Sequence, residues 1–174
     1  MSNRDSFVNQ ALASLGDDGV KARTWFYGED KPVDWCAIWV SYIGYLSGNQ
    51  DLIGKYSLAG DTAEYGDGVL GEYIAPQTTP QIGDLIHFIW SDRPTTSKYS
   101  ADHVGIVYNV ADGIVFTVEG NSTNGLVASN SYSITSEYIA YYYRPKWSTG
   151  VTPLPPQVKN RKLPIWMYPK FFIL

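Results

Sequence analysis

Apolar positions recur at helical spacing twice in the first third of the chain. Over residues 4–15, Phe7, Val8, Ala11, Leu12 and Leu15 share one face, and Gly16 ends the run. A loop rich in Gly, Asp and aromatic residues is predicted from there to Val33. From Asp34 to Ser47 the pattern predicts a second, buried helix, with Asp34 as its N-cap and Pro32 just outside. Cys36, Trp39, Val40 and Ile43 form its stripe, flanked by the small residues Ala37, Ser41 and Gly44. A helical glycine costs about 1 kcal/mol relative to alanine, so Gly44 points to close approach of a neighbouring strand. Residues 50–80 are Gly-rich and polar, with a short helix predicted near 60–65. Beyond them the period falls to two, and strands are predicted at Ile82–Trp90, His103–Val110, Ile114–Glu119 and Tyr138–Arg144. Helices followed by antiparallel strands define an α+β domain.

The two central strands flank Ala111, Asp112 and Gly113, a hairpin signal. A three-residue loop with Gly113 left-handed would pair Val110 with Ile114. One face then collects Val104, Ile106, Tyr108, Val110, Ile114, Phe116 and Val118. The other collects His103, Gly105, Val107, Asn109, Val115, Thr117, Glu119 and Asn121. A two-residue turn at Asp112–Gly113 would slip the pairing by one and bury Glu119 among apolar side chains without a partner. The three-residue loop is therefore the expected register. It sets His103 opposite Asn121 and Glu119 on the diagonal, about 7–8 Å away between Cα atoms. Glu119 can then accept a hydrogen bond from one imidazole nitrogen, leaving the other for Cys36.

Composition narrows the partners. A net charge of −4 argues against nucleic acid, which needs concentrated Lys and Arg. The 15% aromatic share suits a groove for sugars or peptides, and core packing explains it as well. The single Cys excludes an internal disulfide and a thiolate zinc cage. No stretch approaches the roughly 20 apolar residues that span a bilayer. The amino terminus reads as an amphipathic helix and not as a signal peptide, so synthesis in the cytoplasm is expected, with any route outward supplied by another agent. Residues 149–174 hold five of the ten prolines. A folded domain is expected over 1–148 and a Pro-rich linker with a short apolar tail over 149–174. The tail could dock on the domain, contact another domain or protein, or continue a longer chain; a monomer is expected.

Chemistry centres on Cys36. At the second residue of its helix it would meet unpaired N–H groups and the positive end of the dipole, which favour a thiolate and can hold an oxyanion. The plain alternative is a buried core cysteine. The chain has two histidines, His87 and His103. His103 with Glu119 would complete the Cys–His–acid arrangement of an activated thiol nucleophile; a surface histidine beside an unrelated glutamate is the plain alternative. His87 alternates with Leu85 and Ile89 and is expected to be a hydrogen-bonded structural residue. Asp102 is expected in a turn or at the surface. Trp25, Tyr27 and Trp35 are candidate walls of a substrate groove, with core packing an equal reading for each.

At these residues the chain resembles a CHAP domain, the cysteine, histidine-dependent amidohydrolase/peptidase family. The resemblance rests on YGEDKPVDWCAIWVSYI, QIGDLIHFIW, ADHVGIVYNVADGIVFTVEGNS and the Tyr-rich strand after them, in order over roughly residues 4–146. Trp-Cys-Ala, then His-Val-Gly-Ile-Val, then Val-Glu-Gly-Asn is a specific set, where any one piece alone would be weak. The resemblance implies a papain-like fold with N-terminal helices packed on an antiparallel sheet. It implies a peptidoglycan hydrolase, either an N-acetylmuramoyl-L-alanine amidase or an endopeptidase on the stem or cross-bridge peptide. It also implies Cys36 as nucleophile, His103 as base, and Glu119 with Asn121 as orienting groups. Members of this kind without a signal peptide include phage endolysins and virion-associated lysins, which act on the wall after release or as part of a virion; the chain is similar to that type. Neither Glu29-Asp30 nor the stretch before His103 has the spaced aspartates of a calcium loop, so no metal and no cofactor are expected. Two rivals stay open: a papain-like protease or amidase acting on protein, and a non-catalytic phage structural or wall-binding module.

Overall fold

The computed structural model describes residues 3–92 and 95–148. Five helices, α1 (Asn3–Ala13), α2 (Val20–Tyr27), α3 (Cys36–Leu46), α4 (Gln50–Ile53) and α5 (Asp61–Gly66), precede all the strands. The strands are β1 (Gly71–Ile74), β2 (Leu85–Phe88), β3 (His103–Ala111), β4 (Ile114–Glu119), β5 (Ala128–Ser133) and β6 (Ile139–Pro145). They form one sheet in the order β1-β6-β2-β3-β4-β5, and every pairing between these strands is antiparallel. This is the α+β architecture that the change of period implied. The linker and tail expected over 149–174 lie outside the described residues. Among the described residues, no helix is long and apolar enough to cross a membrane.

The helix α3 is buried nearly all round, which suits a segment whose non-polar positions exceed one stripe. Its Ile38, Trp39 and Ile43 pack into the main core with Leu85, Val104, Ile106, Val118, Tyr141 and Tyr143 of the sheet. A smaller cluster, including Ile86, Phe88, Val107, Val115 and Tyr142, also buries sheet residues. A Cβ at Gly44 would lie 2.8 Å from Cβ of Ile53. The close neighbour is thus the short helix α4, and not a strand as expected. At the start of β2 the buried Asp84 receives Nε and Nη2 of Arg144 at 2.9 and 2.8 Å, a two-pronged bond that ties β2 to β6.

Helix α2 lies where a loop was predicted. It buries only Ala22, so it shows almost no apolar stripe. Strand β2 is shorter than predicted, and its pairing with β6 slips between His87 and Phe88.

The β3–β4 hairpin corrects the expected register. Its turn is the two-residue form, with Asp112 at φ 50° and Gly113 at φ 75°, and Ala111 pairs with Ile114. Primed turns of this kind match the twist of the flanking strands. Tyr108 then stands as an extra residue in β3, and beyond it Val107 pairs with Thr117 and Ile106 with Val118. The bulge undoes the slip that the short turn introduces. Val110 consequently packs with Val107 and Val115 instead of with Ile106, while Glu119 keeps the side expected of it.

His87 is a structural residue, as expected, but packing holds it in place of the expected hydrogen bond. It is fully buried and stacks on Tyr141, ring centres 4.2 Å apart, and neither ring nitrogen completes a hydrogen bond. Burial holds its pKa down to about 3, although the Ala59 and Leu85 backbones oppose this slightly. The imidazole is a neutral core side chain.

Candidate active site

Three elements meet at Cys36. The helix α3 begins with this residue, one position earlier in the helix than expected, because Trp35 occupies the N-cap without a side-chain cap bond. Asp34 is therefore not the cap. Its Oδ1 instead accepts a hydrogen bond from Nδ2 of Asn121 at 3.1 Å. The first turn of α3 is pressed onto the end of β4: a Cβ at Gly120 would stand 2.7 Å from Trp39 and 2.9 Å from Trp35. Only a glycine admits that approach, and it carries Cys36 to the end of the sheet where β3 starts and β4 stops.

His103 opens β3 and Glu119 closes β4. His103 Nε2 lies 2.9 Å from Glu119 Oε2. The Cys36 thiol lies close enough to the imidazole to raise its pKa, and the two residues line one depression. Glu119 crosses to His103 over Gly105, where a Cβ would fall 2.6 Å from Glu119 Cγ. The missing side chain of Gly105 is the channel in which the glutamate lies. The group is nearly dry: the side chains of His103 and Glu119 are 12% and 2% exposed.

Two further hydroxyls reach the carboxylate. Thr117 donates to Glu119 Oε1, and Tyr132 donates to Oε2 at 3.3 Å. Burial raises the Glu119 pKa, but the hydrogen bond and charge of His103, with Thr117 and Tyr132, outweigh it and hold the group below its usual range. Burial likewise lowers the His103 pKa, yet the bonds and charges of Cys36 and Glu119 win and raise it to about 9. An imidazolium beside a sulfur and a buried carboxylate can support a thiolate nucleophile and later release a proton.

Cys36 lies at the meeting point of two open depressions that share Asp34, Cys36 and Asp102. One is lined by Trp90, His103, Glu119, Asn121 and Tyr132. The other runs past Ala59, Asp61, Glu64 and Tyr99. Asp102 ties the chain leaving β2, its Oδ2 accepting from Trp90 N, Ser91 N and Ser91 Oγ at 2.9 Å each. Asn121 stands at the mouth with φ 54°, bonded to Asp34 and facing the first depression.

The three candidate groove residues lie elsewhere. Trp25 stacks on Tyr45 at 5.2 Å, with Lys55 Nζ 4.5 Å from its ring centre. Tyr27 packs edge-on against Phe26 and under Lys31. Trp35 is buried beneath Gly19 and Gly120. None of the three lines either depression containing Cys36. Thr117, Tyr132 and Gly105 are site residues that the pattern did not single out. Thr117 was readable in principle, since it lies two positions before Glu119 and so shares its face. Among the described residues, no three His, Cys, Asp or Glu side chains gather as a metal site.

The profile of the CHAP domain matches residues 26–121, a span that contains Cys36, His103, Glu119 and Asn121. The chain belongs to the CHAP family. No curated protein matches it significantly. Among solved structures it is similar to that of Ly7917 with the hydrolyzing product of MDP, at 18% identity and a TM-score of 0.50, over 82% of this chain and 62% of that one. A second Ly7917 structure matches over the same shares at 16% identity and a TM-score of 0.49. The chain thus spans less than two thirds of the Ly7917 chains. At this identity the first likeness speaks to fold, and the CHAP domain described here has that α+β arrangement of helices on an antiparallel sheet.

Proposed function

We propose that this CHAP domain hydrolyses an amide bond of bacterial peptidoglycan, with Cys36 as nucleophile, His103 as base and acid, and Glu119 as the carboxylate that orients His103. The observation that carries the reading is the buried His103–Glu119 hydrogen bond beside Cys36, which lines the same depression and whose thiol raises the His103 pKa. His103 takes the proton of Cys36, and the sulfur attacks the amide carbon. The oxyanion that forms lies beside the N–H of Cys36 at the opening of α3, where helical N–H groups have no partner within the helix. His103 gives its proton to the departing amine, leaving a thioester. Water, losing a proton to His103, attacks the thioester, and the acid product leaves as the thiol is restored.

Family membership and the fold shared with Ly7917, solved with the hydrolyzing product of MDP, support a wall-derived substrate. The open depressions on both sides of Cys36 suit a polymer that passes through the site. We assign the cut to the N-acetylmuramoyl-L-alanine bond or to a stem or cross-bridge peptide bond. The proposed biological setting is that of a phage lysin, made in the cytoplasm and acting on the wall after release or from a virion.

Zymography on gels containing Gram-positive wall tests the reading. The protein should clear the gel, and Cys36→Ala should not, while keeping the same circular dichroism. Clearing by Cys36→Ala would refute the mechanism.

A further inference from the structure

We infer that Thr117 and Tyr132 are positioning residues of this site: their hydroxyls hold the Glu119 carboxylate in the orientation from which it serves His103. The inference deepens the proposed thiol mechanism and rests on it for turnover, but not for the reactivity of the sulfur.

Glu119 is 1% exposed, and a buried carboxylate without partners protonates or turns away. Here both of its oxygens are engaged. Oε2 takes His103 Nε2 at 2.9 Å and the Tyr132 hydroxyl at 3.3 Å, and Oε1 takes the Thr117 hydroxyl. The grip comes from three adjacent strands. β3 contributes His103 and the empty space of Gly105, β4 contributes Thr117, and β5 contributes Tyr132. Tyr132 is itself fixed by packing on Phe88, with ring centres 4.8 Å apart.

Without the Thr117 hydroxyl, Oε1 has no other donor among the described residues and the carboxylate is free to rotate about its last bond. The Oε2–His103 alignment then competes with orientations in which the proton-bearing nitrogen finds no oxygen. Thr117 is 0% exposed, so it cannot touch a substrate. Its influence on the sulfur passes through Glu119 and His103. Tyr132 borders the first depression, so it can also meet a substrate, and Thr117 gives the cleaner test.

The experiment compares Thr117→Val, Thr117→Ser and Tyr132→Phe in two assays. One is the pH dependence of Cys36 alkylation by iodoacetamide, which needs no wall. The other is kcat and KM on solubilised peptidoglycan. Thr117→Val should slow alkylation near neutral pH by about ten- to a hundredfold, the worth of a hydrogen bond to a charged group, and shift its acid limb upward. It should lower kcat and leave KM unchanged. Thr117→Ser, which keeps the hydroxyl, should restore both. Tyr132→Phe should show a smaller shift in the same direction, as its longer bond implies. If folded Thr117→Val matches the parent in both assays, or if Thr117→Ser is as slow as Thr117→Val, the inference fails. Should Thr117→Val not fold, Tyr132→Phe decides, and an unchanged pH profile in that variant overturns the proposal. The expected alkylation pattern with no attack on wall would sink the substrate reading alone. Cys36-dependent wall attack unaffected by Thr117→Val would sink the positioning role alone.

Discussion

Gly105→Ala puts the geometry of the site under the most pointed strain. The added Cβ would stand 2.6 Å from Glu119 Cγ and 3.4 Å from Glu119 Cδ, with the Val118 carbonyl oxygen at 3.3 Å on the strand beneath. Ordinary contact between carbons begins near 3.5 Å, so Glu119 must retreat by about 1 Å. It cannot move into solvent without leaving its three donors, since it is 1% exposed. A retreat of that size stretches the 2.9 Å bond to His103 beyond hydrogen-bonding range. Misplacing a reacting group by about 1 Å costs on the order of a hundredfold in rate. Overpacking of this kind costs about 1–3 kcal/mol of stability. The expected outcome is a folded protein with a lower melting temperature and a kcat/KM reduced about a hundredfold. A double-mutant cycle identifies the cause. In a Glu119→Ala background the clash has no target, so adding Gly105→Ala should cost little further activity. If Gly105→Ala retains full activity, or if its loss adds undiminished to that of Glu119→Ala, Gly105 is not the channel for Glu119 and the reasoning fails.

Two pH-dependent outcomes follow from the histidines, with opposite signs. Burial lowers the His103 pKa, but Cys36 and Glu119 raise it overall to about 9; kcat/KM should therefore fall as pH rises through about 9, and the stability His103 contributes should be complete below about 6.5 and lost through about 9. Urea unfolding of Glu119→Gln across this range should show the loss at lower pH, and an unchanged profile would contradict the pairing. His87 is depressed by burial to about 3, so the unfolded chain takes up its proton first and stability should fall as pH drops from about 6.5 toward 3. His87→Phe keeps the stack on Tyr141 and should remove that loss; a stability difference from the parent that stays constant between about pH 7 and 4 would refute a neutral buried His87.

The buried helix and the histidine–carboxylate pair were legible in the sequence for distinct reasons. Helix α3 shows itself because apolar and small residues cover almost its whole circumference, and few segments but a core helix tolerate that. His103 and Glu119 show themselves because strand alternation separates them from Ile106 and Val118. The route to that separation was misread. A two-residue turn and the extra Tyr108 are two opposite shifts of one residue, and a periodic pattern registers only their sum. Strand β5 stayed hidden because Ser129, Asn130 and Ser131 supply no apolar alternation, and Tyr132 was hidden with it. Asp34 looked like a helix cap because sequence spacing cannot tell a cap from a side chain that reaches Asn121, 87 positions away. What escaped notice at the site is what depends on neighbours distant in the chain.

End-group analysis of purified wall tests the central claim most directly. The wall is digested with the parent protein and with Cys36→Ala, new amino groups are tagged chemically, and the released fragments are sequenced by mass spectrometry. The expected result is one new amino terminus and one new carboxyl per cut, at a single type of amide bond, with none from Cys36→Ala. An unchanged wall after the parent digest, or the same fragments from Cys36→Ala, would contradict a hydrolase built on Cys36, His103 and Glu119.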